Sequence, residues 1–276
     1  MIKVKGLTPS RIKIFRKTIW DYYRTHARSF PWRKTRNPYR ILVSEMMLQQ
    51  TQVERVREKY QTFIATFPDF SSLSQAPLQH VLSIWQGLGY NRRAIALKQI
   101  AQEVMTKYNG MFPSSVDLLM QLPGIGKATA SAIVSFAFNQ PTVFLETNIR
   151  RVFIHFFFHD RANVHDAELL PLVEKALDHS DARRWYYALM DFGAMLRKEV
   201  ANPNRRSLHY QRQAPFEGSH RQLRGLVLRT ILQSPEVTES ALIKKLKKEP
   251  TKIQDALEQL RREGFIRKKR NRYSIA

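Results

Sequence analysis

The chain of 276 residues contains no cysteine. Disulfide bonds, thiolate-bound metals and iron–sulfur clusters on cysteine ligands are therefore excluded, and the chain suits a reducing compartment. Acidic residues are also scarce, because 23 Asp and Glu stand against 46 Lys and Arg, a formal net charge of +23 at pH 7. Such an excess favours a polyanionic partner, usually nucleic acid, although a solvated basic surface without a partner is the alternative.

Long apolar runs are missing as well, although 43% of the residues are hydrophobic. None approaches the roughly 20 apolar residues that cross a bilayer. The N-terminal stretch MIKVKGLTPSRIKIF has scattered charges and no continuous apolar core, so it does not look like a secretory signal. We expect one large or two modest domains without a membrane partner, located in the cytoplasm and associated with the nucleoid if the source is bacterial.

Helical periodicity dominates the chain before residue 211. The stretch TPSRIKIFRKTIWDYYRTH opens with a Thr-Pro pair, and its apolar residues Ile12, Phe15, Ile19 and Tyr22 recur at helical spacing. Similar runs follow, separated by short loops that contain Pro, Gly, Asn or Asp. Strand patterns are few, so an all-α fold class is predicted.

A polar, Arg-rich and Pro-containing segment at 202–220 interrupts this periodicity and predicts a domain boundary. Three short helical stretches follow it, and the chain ends on two alternating stretches in FIRKKRNRYSIA. This order predicts a small winged-helix-like domain over 215–276. Its many Lys and Arg residues fit a nucleic-acid-binding module, with a winged helix used only for a protein contact as the alternative.

Two glutamates stand in mostly apolar surroundings, Glu45 in SEMMLQQTQV and Glu146 in TVFLETNIRRVF. Glycosidic-bond hydrolysis needs a proton donor for the leaving group and a negative charge near the oxocarbenium-like sugar. A carboxyl group in an apolar pocket keeps its proton more easily, which suits Glu45 to the first role. The alternatives are a surface Glu45 paired with an Arg, and a Glu146 that caps a helix or pairs with Arg150 or Arg151.

The stretch LPGIGKATASAIVSFAF places two glycines between helical segments, with the second helix starting at about Lys127. The free N–H groups of that helix, together with the Lys127 charge, predict a phosphate site. A plain tight turn between two helices is the alternative.

Five stretches together resemble the helix-hairpin-helix (HhH-GPD) DNA glycosylases, and within them the MutY-like adenine mismatch glycosylases: FPWRKTRNPYRILVSEMMLQQTQV, WQGLGYNRRAIAL, LPGIGKATASAIVSFAF, ETNIRRVF and LMDFGAM. The resemblance covers roughly 15–197. It implies a glycosylase domain over 1–214 with two helical subdomains, 28–136 with the hairpin and 1–27 plus 137–214, and a DNA-binding cleft between them. It also implies a flipped target base and hydrolysis of its N-glycosidic bond.

The resemblance also implies roles for individual residues. Glu45 matches the general acid, Glu146 matches the carboxylate that stabilises the oxocarbenium ion, and Asn148 matches an asparagine beside it. Gln50 and Tyr90 match residues that wedge into the duplex, and Thr51 and Leu88 match positions near the opposite base. The DNA-binding set that the resemblance implies is Gln49, Gln50, Thr51, Leu88, Tyr90, Gly124, Gly126, Lys127 and Thr129.

Several positions depart from the family pattern. Glu146 replaces an aspartate, Thr147 replaces a glycine, and Ala128 stands where the related lyases carry a nucleophilic lysine. Arg197 stands where the first cluster cysteine is expected, and the usual C-terminal domain is not recognisable. We therefore expect a clusterless, monofunctional enzyme without a metal or other cofactor, with room for a monovalent cation at the hairpin.

The expected substrate is duplex DNA with a mispaired or damaged base, bound by a monomer. Adenine opposite 8-oxoguanine or guanine is the first expectation for the excised base. Thymine, uracil or a damaged pyrimidine is the second, and an inactive DNA-binding protein on the same scaffold is the third.

Overall fold

Thr8 and Pro9 begin the first helix of the computed structural model, which describes residues 8–212, 214–234 and 236–276. The Thr8 hydroxyl accepts a hydrogen bond from the Arg11 N–H, and Pro9 occupies the first helical position, where no N–H is needed. Phe15 and Ile19 lie on the buried face of this helix, as their spacing predicts. The prediction of this helix from its local pattern is therefore confirmed.

Fourteen α-helices and three strands make up the described part of the chain. They are α1 Pro9–His26, α2 Pro38–Leu48, α3 Val53–Thr66, α4 Phe70–Gln75, α5 Leu78–Trp85, α6 Arg92–Lys107, α7 Val116–Met120, α8 Lys127–Phe138, α9 Thr147–Phe157, α10 Asp166–Ala176, α11 Ala182–Glu199, α12 His220–Gln233, β1 Val237–Thr238, α13 Glu239–Leu246, α14 Pro250–Arg262, β2 Ile266–Lys269 and β3 Arg272–Ile275. Two short 3₁₀ helices lie at Pro31–Lys34 and Pro203–Arg206. The helical fold class is confirmed.

The contacts divide the described chain into two compact units. The first consists of the described residues of 1–45 together with 113–121 and 125–212. Its core forms where α9 packs on α11 and α10, with α1 and α8 also against α11. Aromatic residues fill this core, including Trp185, Tyr186 and Phe153, which are all fully buried. The 3₁₀ helix Pro203–Arg206 packs on α9, although its sequence looks like a loop.

The second unit consists of 46–112, 122–124 and the described residues of 213–276. Helix α6 packs on α4 and α5, and α5 also contacts α3. The C-terminal segment joins this same unit because α12 packs on α5.

The C-terminal segment folds as predicted, with α12, α13 and α14 followed by a β-hairpin. The three strands form an antiparallel sheet in the order β1-β3-β2. The two-residue strand β1 is too short to show an alternating pattern, so the sequence did not predict it. Leu242, Ile253, Leu257 and Phe265 are buried in this domain.

The predicted subdomain and domain boundaries, at 27/28, 136/137 and 214/215, remain predictions. Residues 1–7, which belong to the predicted N-terminal segment, and Gln213 lie outside the described residues. Among the helices that the structure describes, none has the length and apolar character required to cross a bilayer.

Candidate active site

Glu45 lies on α2 between two buried residues, Ser44 and Met46, and is itself half-buried. Its carboxyl group makes no hydrogen bond to another residue in the described part of the chain. Burial first, and the negative charge of Glu146 second, raise the pKa of Glu45 to about 8 against the opposing positive charge of Arg33. Glu45 is therefore mainly protonated at neutral pH, which is the state a proton donor requires.

Glu146 occupies the N-cap position of α9. Its Oε1 accepts hydrogen bonds from the backbone N–H groups of Asn148, at 2.7 Å, and Ile149, at 2.8 Å. Its Oε2 accepts from Nδ2 of Asn148 at 3.2 Å. Burial raises the pKa of Glu146, whereas these backbone hydrogen bonds and the charges of Arg151 and Arg150 lower it. Glu146 therefore does cap the helix, and the cap also holds the carboxylate in one orientation.

Neither neighbouring arginine forms a salt bridge with Glu146. Arg150 binds both carboxylate oxygens of Asp166, at 2.7 and 2.6 Å. Nη1 of Arg151 instead donates to Oδ1 of Asn148 at 2.7 Å and to the carbonyl of Gly193 at 2.6 Å. The Asn148 side chain is therefore fixed at its oxygen by Arg151 and at its nitrogen by Glu146.

Gly193 on α11 leaves room for the first turn of α9. A Cβ atom at this position would lie 2.7 Å from Cβ of Asn148 and 2.8 Å from its carbonyl carbon, and closer still to its carbonyl oxygen. These are largely backbone atoms that cannot rotate away. Gly193 thus permits the close packing that sets the position of Asn148 and Glu146.

Arg33 provides the positive charge that acts on Glu45. Its guanidinium is buried, donates to both oxygens of Asp191 at 2.8 and 2.9 Å, and lies 4.5 Å from the centre of the Tyr187 ring. Asp191 pairs with Arg33, and burial is the largest cause of the raised pKa of Glu45. Arg33 and Asp191 occur in two of the family-like stretches, but they are 158 residues apart and sequence reasoning gave them no role.

Arg93, which sequence reasoning also missed, holds four of the predicted DNA-binding residues of the second unit: Gln49, Thr51, Leu88 and Tyr90. The Arg93 guanidinium donates to Oγ1 of Thr51 at 3.0 Å and to the carbonyls of six residues: Met46, Met47, Gln49, Leu88, Gly89 and Tyr90. Burial lowers its pKa to about 10, so Arg93 stays charged at neutral pH. A single buried cation therefore joins the end of α2 to the loop before α6.

Two residues in the segments that Arg93 joins have left-handed backbone conformations, which residues other than glycine rarely adopt. Gln50 has φ +54° and Tyr90 has φ +47°. Such strain persists only where surrounding contacts impose it, and it clusters at functional positions. Gln50 is exposed and Tyr90 is 38% exposed, so both are accessible to a ligand. Leu88 differs, because the residue is only 2% exposed and its carbonyl accepts hydrogen bonds from Arg93 and Thr51.

Tyr90 also contacts the C-terminal domain. Nη1 of Arg221, on α12, donates to the Tyr90 hydroxyl at 2.7 Å across 131 residues of sequence. The Arg93 and Arg221 guanidinium groups lie 5.4 and 5.8 Å from the centre of the Tyr90 ring. The C-terminal domain therefore helps to hold a residue of the predicted DNA-binding set.

The glycine-containing turn has the features expected from its sequence. Gly124 has φ +75°, and a Cβ there would lie 3.2 Å from Cβ of Ala96, so a side chain would be both strained and crowded. Gly126 is the N-cap of α8 and supplies no side-chain cap, which leaves the first N–H groups of α8 open beside the exposed Lys127. Gln49 Nε2 donates weakly to the Gly124 carbonyl at 3.4 Å, and Thr129 follows in the first turn of α8.

No group of three or more His, Cys, Asp or Glu side chains within the described ranges is arranged to hold a metal ion. The candidate site therefore consists of two carboxyl groups, an ordered asparagine and buried arginines.

Comparison with known proteins gives the family of the chain. Residues 43–173 match the model of the HhH-GPD superfamily base excision DNA repair protein. A thymine/uracil-DNA glycosylase of Methanothermobacter thermautotrophicus is 31% identical over 192 residues, which are 68% of this chain and 87% of that protein. The chain belongs to the HhH-GPD superfamily of base excision DNA repair proteins.

Adenine DNA glycosylase of Buchnera aphidicola subsp. Baizongia pistaciae is 40% identical over 185 residues, 66% of this chain and 53% of that protein. The chain thus spans about half the length of the first adenine glycosylases that it matches. The solved structure of a thermostable thymine-DNA glycosylase shares 30% identity at a TM-score of 0.61, covering 69% of this chain and 89% of that one. The predicted family and glycosylase fold are confirmed.

Proposed function

We propose that the protein is a monofunctional DNA glycosylase that hydrolyses the N-glycosidic bond of a mispaired base. The pair formed by Glu45 and Glu146 carries this proposal. Both carboxyl groups have a raised pKa, but only Glu146 accepts hydrogen bonds, from two backbone N–H groups and one amide, that favour its ionised form. Two carboxyl groups whose surroundings favour different protonation states are suited to separate acid and electrostatic roles.

In the proposed mechanism, protonated Glu45 donates its proton to the leaving base. The Glu146 carboxylate lies against the sugar and stabilises the positive charge that develops as the bond breaks. Asn148 keeps that carboxylate in position through the hydrogen bond between its Nδ2 and Oε2 of Glu146. The base leaves as a neutral molecule, water attacks the sugar carbon and gives a proton back to the ionised Glu45, and an abasic site remains.

Duplex DNA with a mispaired or damaged base is the proposed substrate, bound by a monomer in the cytoplasm. The net charge of +23 supports strong binding through phosphate neutralisation. Gln49, Gln50, Thr51, Leu88 and Tyr90 are the proposed contacts around the displaced base and its partner. Gly124, Gly126, Lys127 and Thr129 are the proposed phosphate contacts, supported by the open N-terminus of α8.

Adenine opposite 8-oxoguanine or guanine is the proposed target, because several relatives of similar sequence are named adenine DNA glycosylases. Thymine or uracil is the second candidate. It is supported by the Methanothermobacter relative, whose length this chain covers almost completely.

A panel of labelled duplexes, each with one mispair, tests the activity and the target together. Incubation followed by alkaline cleavage at abasic sites should show product from adenine opposite 8-oxoguanine, and Glu45→Gln should remove it. Product only from thymine or uracil opposite guanine would favour the second candidate. Absence of product from every duplex would leave an inactive DNA-binding scaffold.

Reduction with borohydride tests the monofunctional part of the proposal. Ala128 has no amine, so no covalent complex with abasic DNA should be trapped. A trapped band would show that another amine attacks the sugar, and Lys127→Gln would then identify or exclude the neighbouring lysine. Ala128→Lys is the positive control, because it introduces an amine at that position.

A further inference from the structure

The hairpin of β2 and β3 carries five basic residues and no acidic one. We call these five exposed residues, Arg267, Lys268, Lys269, Arg270 and Arg272, the basic wing. Their contacts are neutral: Arg267 donates to Ser274 Oγ at 3.2 Å, Lys268 lies 5.3 Å from the Tyr273 ring centre, and Arg272 donates to the Glu236 carbonyl at 3.3 Å. Across the described ranges, none of the five forms an ion pair with a carboxylate.

The strand register places three of these five charges, Arg267, Lys269 and Arg272, on one face. Lys269 lies directly opposite Arg272 in the antiparallel pair. Arg267 precedes Lys269 by two residues and therefore points to the same face. Directly opposed like charges destabilise a sheet, and Arg270 adds another cation in the connecting turn at φ +53°. A polyanion bound along this face would relieve the repulsion.

Protection of a sheet edge does not account for the basic wing. Lysines on an edge strand discourage pairing with other chains, and β2 is an edge strand in the order β1-β3-β2. Arg272, however, lies in the central strand β3, and Arg270 lies in the turn. Edge protection requires neither of these two charges.

Helix α14 offers a contrast within the same domain. In a helix-turn-helix module, the second helix of the pair usually enters the major groove. Between residues 250 and 263, however, three basic residues (Lys252, Arg261, Arg262) are matched by three acidic ones (Asp255, Glu258, Glu263). Lys252 and Arg261 each form an ion pair within three residues, at 2.8 and 3.0 Å. The α14 surface therefore has little net attraction for phosphate.

The C-terminal end of α14 is also occupied by contacts within the protein. Glu263 binds Arg92 of α6 at 2.8 Å and Arg224 of α12 at 2.5 Å. A cavity of about 520 Å³ separates Gln259 and Arg262 from α6. These contacts attach the domain to α6 through α14, while the basic wing carries no ion pair.

We propose that the basic wing, and not α14, is a second binding site for duplex DNA, which grips phosphates outside the base-removal site. The proposal rests on the proposed function only in taking DNA as the polyanion. The wing belongs to the same compact unit as Gln50 and Tyr90, so one unit carries both the predicted wedge residues and the wing.

The experiment compares two full-length triple variants that each lose three positive charges from the same domain. The wing variant is Lys269→Gln, Arg270→Gln and Arg272→Gln, and the matched control is Lys252→Gln, Arg261→Gln and Arg262→Gln. Binding to an undamaged duplex is measured over a series of salt concentrations. The wing variant should lower the log–log salt slope by about 2 to 3, and affinity near 0.15 M salt should fall on the order of a hundredfold.

The control variant should leave the salt slope within about half a unit of wild type. An unchanged slope in the wing variant, or an equal loss in the control, would overturn the proposal. Tighter wild-type binding to a duplex RNA of the same length would assign the wing to RNA instead, and would also overturn it. A wing variant that aggregates with an unchanged slope would restrict the basic residues to edge protection.

Two further measurements separate this proposal from the proposed function. The wing variant should melt at or above the wild-type temperature, because the Lys269–Arg272 repulsion is removed. If base release is observed, its single-turnover rate at saturating DNA should match wild type. If no duplex yields an abasic site, the salt slope still tests the wing, so the two proposals can fail independently.

Discussion

Replacing Glu45 with Gln should stabilise the protein near pH 7 while it abolishes base release. The pKa of the Glu45 carboxyl is about 8 in the folded protein, against an ordinary value of 4.5. At intermediate pH, the unfolded chain releases this proton and the folded protein keeps it. The stability that the proton contributes is therefore full below about pH 4.5 and is lost as the pH rises towards 8.

The size of the effect follows from these two values. In the unfolded chain the carboxyl has its ordinary pKa, so pH 7 lies about 2.5 units above that pKa. Each pH unit between the two pKa values changes the free energy of unfolding by about 1.4 kcal/mol. Glu45 should thus cost the folded protein about 3 kcal/mol relative to a neutral side chain of the same shape. Gln does not titrate and avoids this cost, so the melting temperature should rise by roughly 5 °C at pH 7 and hardly at all at pH 4.5.

Thermal unfolding at several pH values, with single-turnover base release on the same samples, tests this reasoning. Glu174→Gln, which removes an exposed carboxylate of α10, is the matched control and should change neither quantity. General acid catalysis contributes about a hundred- to ten-thousand-fold, so Glu45→Gln should lose at least that factor. The wild-type rate should fall as the pH rises above about 8.

Two results would refute the assignment. If Glu45→Gln has wild-type stability at pH 7, the carboxyl is not held protonated by burial. If the variant releases base at a near wild-type rate, another group supplies the proton. A stable but inactive variant is the only outcome that agrees with both parts of the prediction.

Three further changes probe the surroundings of the site. Glu146→Gln keeps an oxygen for the helix cap, so it should cost at most about 1 kcal/mol of stability but should slow single-turnover base release at least a hundredfold. Glu146→Asp should keep part of the wild-type rate. A lower melting temperature with an intact rate in Glu146→Gln would show that Glu146 only caps the helix. Gly193→Ala should displace the first turn of α9, lowering both melting temperature and rate, and unchanged values would show that the turn adjusts freely. Arg221→Ala and Tyr90→Phe both remove the 2.7 Å hydrogen bond between Arg221 and the Tyr90 hydroxyl, so each should weaken mismatch binding up to about tenfold. The double variant should lose little more affinity than either single variant. Fully additive losses would exclude coupling between the two residues.

Much of this protein could be predicted from its sequence, because the relevant patterns are local. The start of α1, the glycine requirement at position 124 and the three-helix order after residue 220 each depend on a few neighbouring residues. Glu45 and Glu146 stood out because each interrupts an apolar stretch. A short strand such as β1, or the 3₁₀ helix Pro203–Arg206, carries no periodic pattern and depends on contacts with distant elements.

Only the tertiary structure decided what surrounds those two carboxyl groups. Whether Glu45 is protonated depends on its burial and on charges from elements more than ten residues away, which the motif around it does not encode. The Arg33–Asp191 pair, the carbonyls around Arg93 and the Arg221–Tyr90 contact each join distant parts of the chain. The sequence by itself determined which residue types were present for the chemistry. Folding decided their pKa values and their orientation, because both depend on solvent exclusion and on distances that exist only in the packed chain.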